Sequence, residues 1–199
     1  MGEALDWKEL PVVPRQVPAM HPQRATLLWL NLAGGVAVLG SYAWGTLSRP
    51  DAMGALWGGV PETLRPLYTV NMMRAAAGYF LFTPYVCWRL SPEDTRIAGR
   101  FGYGLFLVLY ALLLLPSALW LPLTAQLLAE PSLALWWVIR IDLAAVAAGA
   151  LGLLLALLRL APAPPRGRTL AVLGLLPFCV QTALLDALVW PAFFPAPAQ

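Results

Sequence analysis

Charged side chains are scarce in this sequence of 199 residues: Asp, Glu, Lys and Arg make up 12% of it, whereas hydrophobic residues make up 60%. A soluble domain typically carries about 25% charged residues. The composition therefore excludes an ordinary soluble domain and indicates an integral membrane protein. The basic residues, one lysine and twelve arginines, form no dense face such as a nucleic-acid binder presents, so we expect no nucleic-acid partner.

Histidine and cysteine are scarcer still. His21 is the single histidine, and Cys87 and Cys179 lie in different apolar segments without a CxxC spacing. These counts exclude bis-histidine haem within the chain and argue against a metal site or a redox thiol pair. The first 24 residues are rich in proline and lack the short apolar core of a cleavable signal peptide, so we expect the first apolar segment to remain as an anchor.

Long apolar segments are what the sequence has in abundance. A helix needs roughly 20 apolar residues to cross a bilayer, and backbone groups in lipid must be hydrogen-bonded within the segment, which favours helices. The sequence therefore predicts an all-α membrane protein. It would comprise a proline-rich tail over 1–24, a five-helix bundle over 25–193 and a short tail over 194–199. The predicted spans are about 25–47, 66–90, 101–128, 131–160 and 169–193.

The basic residues divide unevenly between the two sides of this bundle. Two of them, Arg49 and Arg65, lie in the first loop, on the side opposite the N-terminus. The nine on the N-terminal side are Lys8, Arg15, Arg24, Arg89, Arg96, Arg100, Arg159, Arg166 and Arg168. Because positive residues accumulate on the cytoplasmic side, we expect a cytoplasmic N-terminus and an outer C-terminus. The bias towards Arg, Ala, Leu, Pro and Gly is typical of a GC-rich bacterial genome, so the expected location is a bacterial inner membrane.

Four charged residues lie in the outer half of the predicted bundle. At ~1.5 Å per residue, Arg74, Arg140, Asp142 and Asp186 lie roughly 8–16 Å from the outer ends of their helices. Each costs about 2.5–3.5 kcal/mol at a helix centre, so such residues normally face the interior and pair with one another. Arg140 and Asp142 point about 200° apart around one helix. We therefore expect Asp142 or Asp186 to neutralise Arg74 and Arg140 from neighbouring helices.

Aromatic side chains gather at the same depth. Trp136 lies one helical turn before Arg140, and Thr182, Asp186 and Trp190 form a stripe with a spacing of four residues. The first loop, 48–65, is rich in Gly and Pro and would cover this region. The pattern predicts an outer-side cavity, and the candidate ligand-binding residues are Trp57, Asn71, Arg74, Trp120, Trp136, Arg140, Asp142 and Asp186.

Purely structural roles compete with these assignments. The Arg and Asp residues could serve only to fix helix register. Tryptophans near helix ends commonly form an interfacial belt. This interpretation applies to Trp29, Trp88 and Trp190. Polar amides within spans commonly hydrogen-bond between helices, and those in question are Asn31, Asn71 and Gln181. The small residues of Gly34–Gly35 and Ala75–Gly78 favour close helix packing.

Four short segments carry a family resemblance: LSRP at 47–50, PLYTVNMMRAAAGY at 66–79, SALWLPL at 117–123, and LLPF at 175–178 followed by Leu185 and Asp186. They resemble, in order, the L-x-[KR]-P, LY…MG…A, N-x-x-W and P-Y…LN elements of the TspO/MBR family of tryptophan-rich sensory proteins, which are related to the mitochondrial translocator protein. Ser117 and Asp186 replace asparagines of these elements. The W-x-P-P element of the first loop is missing, and Arg74, Arg140 and Asp142 are not part of the family pattern.

The resemblance implies a five-span bundle with a pocket for a porphyrin, a sterol or a similar flat apolar molecule. The leading hypothesis is therefore a ligand-binding or sensory membrane protein, in which arginines grip a ligand carboxylate and indoles stack on its ring. Its partners would be the lipid bilayer, the small apolar ligand and a homodimer mate or larger membrane complex.

Two alternatives remain open. The lack of catalytic motifs favours an accessory subunit of a respiratory or photosynthetic membrane complex. A third hypothesis is a small lipid or sterol isomerase that uses Asp142 or Asp186 as a proton shuttle. The first two hypotheses assign no catalytic residue, and on balance the sequence argues against an enzyme.

Overall fold

A computed structural model describes residues 20–161, 165–194 and 196–197. Most of the predicted tail 1–24 lies outside these ranges, including Lys8 and Arg15. The described chain is mostly helical. Its α-helices are α1 (Pro22–Ser48), α2 (Pro50–Ala55), α3 (Arg65–Pro84), α4 (Gly104–Ala129), α5 (Leu133–Leu158), α6 (Pro165–Cys179) and α7 (Trp190–Phe193).

Four helices of the described chain are long and apolar enough to cross a membrane: Pro22–Ser48, Gly104–Ala129, Leu133–Leu158 and Gly167–Phe193. They support the prediction of a membrane protein. The predicted second span corresponds to α3, which is not among the four. Its apolar residues are interrupted by polar ones that lower its hydropathy, and these include Thr69, Asn71 and Arg74.

Two segments of π-helix extend regular helices. Tyr85–Arg89 continues α3, and Val180–Val189 joins α6 to α7 in one continuous helix. Pro84 directly precedes the first segment, and Pro177 lies three residues before the second. Proline lacks an N–H and its ring displaces the carbonyl one turn earlier, so the regular α hydrogen-bond pattern is disturbed at both places. Neither segment was predicted from the sequence.

The bundle is held together by the pairs α1–α4, α4–α5, α5–α6 and α6–α3. The tightest crossing joins α3 to α6, where a Cβ on Gly78 would clash with the carbonyl oxygen of Gly174. A Cβ on Gly34 would lie 2.8 Å from the Cβ of Leu114 on α4. Close packing at Gly34 and Gly78 is therefore confirmed. At Gly35 the prediction is wrong, because an added Cβ meets no atom within 4 Å.

One end of the bundle, which we call the arginine end, contains the start of α1 and the end of α5. Arg24 Nη2 donates to Leu90 O at 2.9 Å. Arg168 donates through Nε and Nη2 to Leu157 O and Leu158 O, at 3.0 and 2.8 Å. Nearby, β1 (Arg96–Ile97) pairs antiparallel with β2 (Leu160–Ala161). These two short strands were not predicted, and they tie the loop before α4 to the residues after α5.

Candidate functional site

The opposite end of the bundle, the cavity end, encloses a cavity of about 490 Å³. Its volume lies within the range of roughly 300–1,000 Å³ that is usual for small-molecule sites. The walls come from α1, α3, α4, α5 and the α6 helix with its π-helical continuation. Half of the lining residues are aliphatic, and the aromatic and polar ones are Tyr42, Trp57, Tyr68, Ser117, Trp120, Phe178, Gln181, Thr182, Asp186 and Trp190.

The first loop covers the cavity, as the sequence predicted. Leu56 and Trp57 line it from the segment after α2. Trp190 Nε1 donates to Leu56 O at 2.8 Å, and the backbone N–H of Gly59 donates to Phe193 O at 2.7 Å. Because each of these bonds joins α7 to a loop residue, the short helix α7 holds the loop over the cavity.

The cavity opens sideways between α1 and α3. Leu39 on α1 and Met73 on α3 both line it, yet they are 72% and 62% exposed on the outside of the bundle. Further from the loop, the Tyr79 hydroxyl donates a hydrogen bond to Asn31 Oδ1 and joins the two helices. The gap between α1 and α3 thus lies between this hydrogen bond and the loop, and it faces the lateral surface of the bundle.

A chain of side-chain amides leads to the carboxyl group of Asp186. Asn71 Nδ2 donates to Gln181 Oε1 at 3.0 Å and to Pro177 O at 3.1 Å, and Gln181 Nε2 donates to Asp186 Oδ1 at 2.8 Å. Gln181 and Asp186 are five residues apart. The π-helix, with its i→i+5 geometry, brings them onto one face, whereas a regular α-helix would set them about 140° apart. The predicted hydrogen-bonding roles of Asn71 and Gln181 are confirmed.

Aromatic rings line the cavity together with Asp186, and their contacts continue to Phe194 on the C-terminal side. Ring centroids are 6.4 Å apart for Tyr42 and Trp120, 5.9 Å for Trp120 and Trp190, and 4.5 Å for Trp190 and Phe194. Trp190 is only 6% exposed. Its predicted place in an interfacial belt is therefore wrong, because its indole packs inside the bundle. Trp29 and Trp88 are exposed, as a belt position requires.

The two arginines predicted for the cavity lie outside it. Arg74 is exposed on α3. The guanidinium of Arg140 lies 4.8 Å from the ring centroid of Trp136 and 5.8 Å from that of Trp137, so the predicted proximity of arginine and indole is confirmed. Within the described residues the single ion pair joins Arg65 to Glu62, at 3.9 Å. The predicted neutralisation of Arg74 and Arg140 by aspartates is therefore wrong.

Asp142 and Trp136 also lie away from the cavity surface. Asp142 is 8% exposed and packs within the bundle, and no described residue hydrogen-bonds to its buried Oδ2 atom. Trp136 Nε1 donates to Phe194 O at 3.1 Å. Of the eight predicted residues, Trp57, Trp120 and Asp186 line the cavity, and Asn71 contacts it through Gln181. The other four, Arg74, Trp136, Arg140 and Asp142, do not line it.

The sequence analysis did not assign Tyr68 or Gln181 to the site. Tyr68 donates its hydroxyl to Leu185 O at 2.9 Å and packs edge-on against Trp57, with ring centroids 5.9 Å apart. A signal was present, since Tyr68, Asn71 and Ala75 follow the spacing of one helix face. Gln181 had no comparable signal, because its approach to Asp186 depends on the π-helix.

Within the described residues, no three His, Cys, Asp or Glu side chains come together as a metal site requires. Comparisons with protein-family models, with curated protein sequences and with solved structures return no match to this chain. Its function therefore has to be argued from the cavity itself.

Proposed function

We propose that this chain is a membrane protein that binds a small lipophilic ligand in the cavity between α1 and α3. The observation that carries the proposal is the cavity of about 490 Å³ itself, with aromatic walls, a loop over one end and a lateral opening. Sites of this kind are concave, mostly apolar and equipped with a few placed polar groups. The lateral opening favours a ligand that is dissolved in the bilayer, because Leu39 and Met73 at its edges are apolar.

We further propose five spans, with α3 as the second. Arg65–Pro84 and its continuation Tyr85–Arg89 form 25 residues of helix, which is about 37 Å long at 1.5 Å per residue. The exposed side of α3 carries large apolar side chains, among them Leu67, Val70 and Phe80. The tight crossing of Gly78 with Gly174 keeps α3 alongside α6, whose own helix is long and apolar enough to cross a membrane.

The proposed orientation places the arginine end in the cytoplasm and the cavity end outside, in a bacterial inner membrane. Arg24, Arg96 and Arg168, from three separate segments, meet at the same end of the bundle, which supports applying the positive-inside rule to that end as a whole.

A relation to the TspO/MBR family remains part of the proposal and accounts for a flat ligand such as a porphyrin or a sterol. The aromatic side chains of Tyr42, Trp120 and Trp190 give such a ligand ring faces and edges to pack against. Offset and edge-on ring contacts contribute about 0.5–1.5 kcal/mol each beyond their buried area.

A titration of the protein in lipid nanodiscs with a porphyrin that carries no carboxylate tests the proposal, with tryptophan fluorescence as the readout. We expect saturable quenching in the wild type and in Ser117→Ala, which keeps the cavity open. Ser117→Phe would place a phenyl ring in the cavity, where a flat ligand would otherwise lie, and should lose the saturable component. The native hydroxyl is not needed for binding, since it donates within α4 to Leu113 O. Equal quenching in Ser117→Phe and Ser117→Ala would contradict binding in this cavity.

The exposed position of Arg74 favours a second candidate function, that of a subunit of a larger membrane assembly or a homodimer. Charged residues within spans normally face a protein interior or a partner, and Arg74 faces outward between the exposed apolar residues Val70 and Leu81. An acidic side chain of a neighbouring subunit would neutralise it. Purification in a mild detergent tests this idea. We expect a higher-order species that Arg74→Leu dissociates, and a monomeric wild type would exclude it.

A further inference from the structure

The charge of the cavity wall differs from what the sequence predicted, and it bears on the class of ligand. Asp186 is the only acidic or basic side chain among the described residues that line the cavity, since Arg74 and Arg140 lie elsewhere. The nearest cation on the loop, Arg65, contacts the Trp57 ring at 5.7 Å from its centroid and the Glu62 carboxylate at 3.9 Å. A ligand in the cavity therefore meets a carboxyl group and no guanidinium from the described chain.

Hydrogen bonds fix the orientation of the Asp186 carboxyl group. One of its oxygens accepts from Gln181 Nε2, and Gln181 is fixed in turn by the amide of Asn71. Tyr42 and Tyr68, from two other helices, line the same cavity as this carboxyl group. The second carboxyl oxygen, Oδ2, accepts no hydrogen bond from a described residue.

We propose that the cavity selects a lipid-soluble amine, whose ammonium group binds the Asp186 carboxylate while its apolar body lies among the aromatic rings. This assignment rests on the proposed ligand-binding function and names its ligand class. A cation is attracted to a carboxylate and to the faces of tryptophan and tyrosine, and both partners are present on this wall. A ligand carboxylate, by contrast, would be repelled by Asp186.

Three probes that share one apolar body separate charge from hydrophobicity: 1-pyrenebutylamine, 1-pyrenebutanol and 1-pyrenebutyrate. Each is titrated at neutral pH into the protein in zwitterionic phosphatidylcholine nanodiscs, with energy transfer from tryptophan to pyrene as the readout. The Ser117→Phe variant supplies the background from probe that is merely dissolved in the bilayer. We expect the amine to bind at least about tenfold more tightly than the alcohol, as a hydrogen bond to a charged group implies. The carboxylate should bind more weakly than the alcohol.

Two variants test whether the preference for the amine over the alcohol depends on Asp186. Asp186→Asn keeps an acceptor for Gln181 and removes the charge, so the amine and the alcohol should bind within about twofold of each other. Asp142→Asn is the matched control, because Asp142 does not line the cavity, and it should keep the full preference.

The outcomes that overturn the assignment are distinct. If the alcohol binds saturably but the wild type shows no preference for the amine, the amine assignment is wrong and the binding function stands. A preference that survives Asp186→Asn also overturns the assignment to this carboxylate. If none of the three probes exceeds the Ser117→Phe background, both the assignment and the proposed function are wrong.

Discussion

The arginine end and the cavity end solve the same problem with different chemistry. At both ends, backbone carbonyls at helix termini and loops need hydrogen-bond donors. At the arginine end, the guanidinium groups of Arg24 and Arg168 supply them. At the cavity end, neutral indoles supply two of them: Trp190 Nε1 donates to Leu56 O and Trp136 Nε1 to Phe194 O. The guanidinium of Arg65 also donates there, to Val60 O, but its charge is paired with Glu62.

The difference determines what each end can bind. Guanidinium groups bring positive charge, and at the arginine end they border a tightly packed core that includes Phe82, Tyr103 and Phe106, each no more than 1% exposed. At the cavity end, the indole donors add no charge, and the charge of Arg65 is paired with that of Glu62. Among the described residues that line the cavity, Asp186 is therefore the only one with an acidic or basic side chain. A site for an anion would have needed the opposite arrangement.

The largest effect is expected at the crossing on which both ends depend. Gly78→Ala places a Cβ against the backbone carbonyl of Gly174, which cannot rotate away as a side chain could. Overpacking usually costs 1–3 kcal/mol and occasionally more, and here we expect a loss of at least about 3 kcal/mol. Unfolding by sodium dodecyl sulfate in mixed micelles measures the change.

Gly35→Ala is the matched control for this variant, because a Cβ at Gly35 meets nothing within 4 Å. It should not destabilise the protein, because Ala is more favourable than Gly inside a helix by about 0.5–1 kcal/mol. Similar values for Gly78→Ala and Gly35→Ala would mean that α3 does not approach α6 as closely as described, and the two ends would then not share one rigid frame.

The sequence predicted where the helices lie better than it predicted which residues of each helix face the interior. Long apolar runs identify α1, α4 and α5, because hydropathy depends on composition alone. The prediction for Arg74 was wrong because its position is only about 60° from that of Asn71 around the helix. Arg74 is exposed and Asn71 is buried. The helical spacing alone does not show where the buried face of α3 ends.

The π-helix marks another limit of prediction from sequence. Thr182, Asp186 and Trp190 were placed together by their spacing of four residues, and all three line the cavity. Gln181 joins them only because the hydrogen-bond pattern widens after Pro177. The pairing of Arg140 was predicted from charge, whereas in the fold its nearest described partners are the rings of Trp136 and Trp137.

A smaller loss is expected when the arginine end loses one of its donors. Arg168→Met removes two charged hydrogen bonds to the last carbonyls of α5 and the favourable interaction of a cation with a helix C-terminus. We expect a destabilisation of about 2 kcal/mol. Arg100→Met removes a cation from over the Phe101 ring and should cost less than about 1 kcal/mol. If the two variants are equal, the carbonyl contacts of Arg168 contribute nothing measurable.

The matching change at the cavity end is smaller still. Trp190→Phe keeps an aromatic ring but deletes the donor to Leu56 O, which costs about 1 kcal/mol. Because this bond holds the loop, amide hydrogen exchange in 56–60 should speed up while exchange at the arginine end stays unchanged. Trp137→Phe is the control, since Trp137 is exposed. Unchanged exchange in 56–60 would show that the loop is held by other contacts.

The smallest effect on stability, and the sharpest on function, is expected at the lateral opening. Ala76 is exposed and lines the cavity, whereas its exposed neighbour Ala77 does not line it. Ala76→Trp narrows the gap between α1 and α3 and should slow the uptake of 1-pyrenebutanol from the bilayer at least about threefold. Stopped-flow energy transfer measures the uptake rate.

Ala77→Trp is the control, because it adds the same bulk to the same helix away from the cavity, so it should leave the uptake rate at the wild-type value. Equal slowing by both variants would mean that the ligand does not enter between α1 and α3, and that the loop at the cavity end is the entrance.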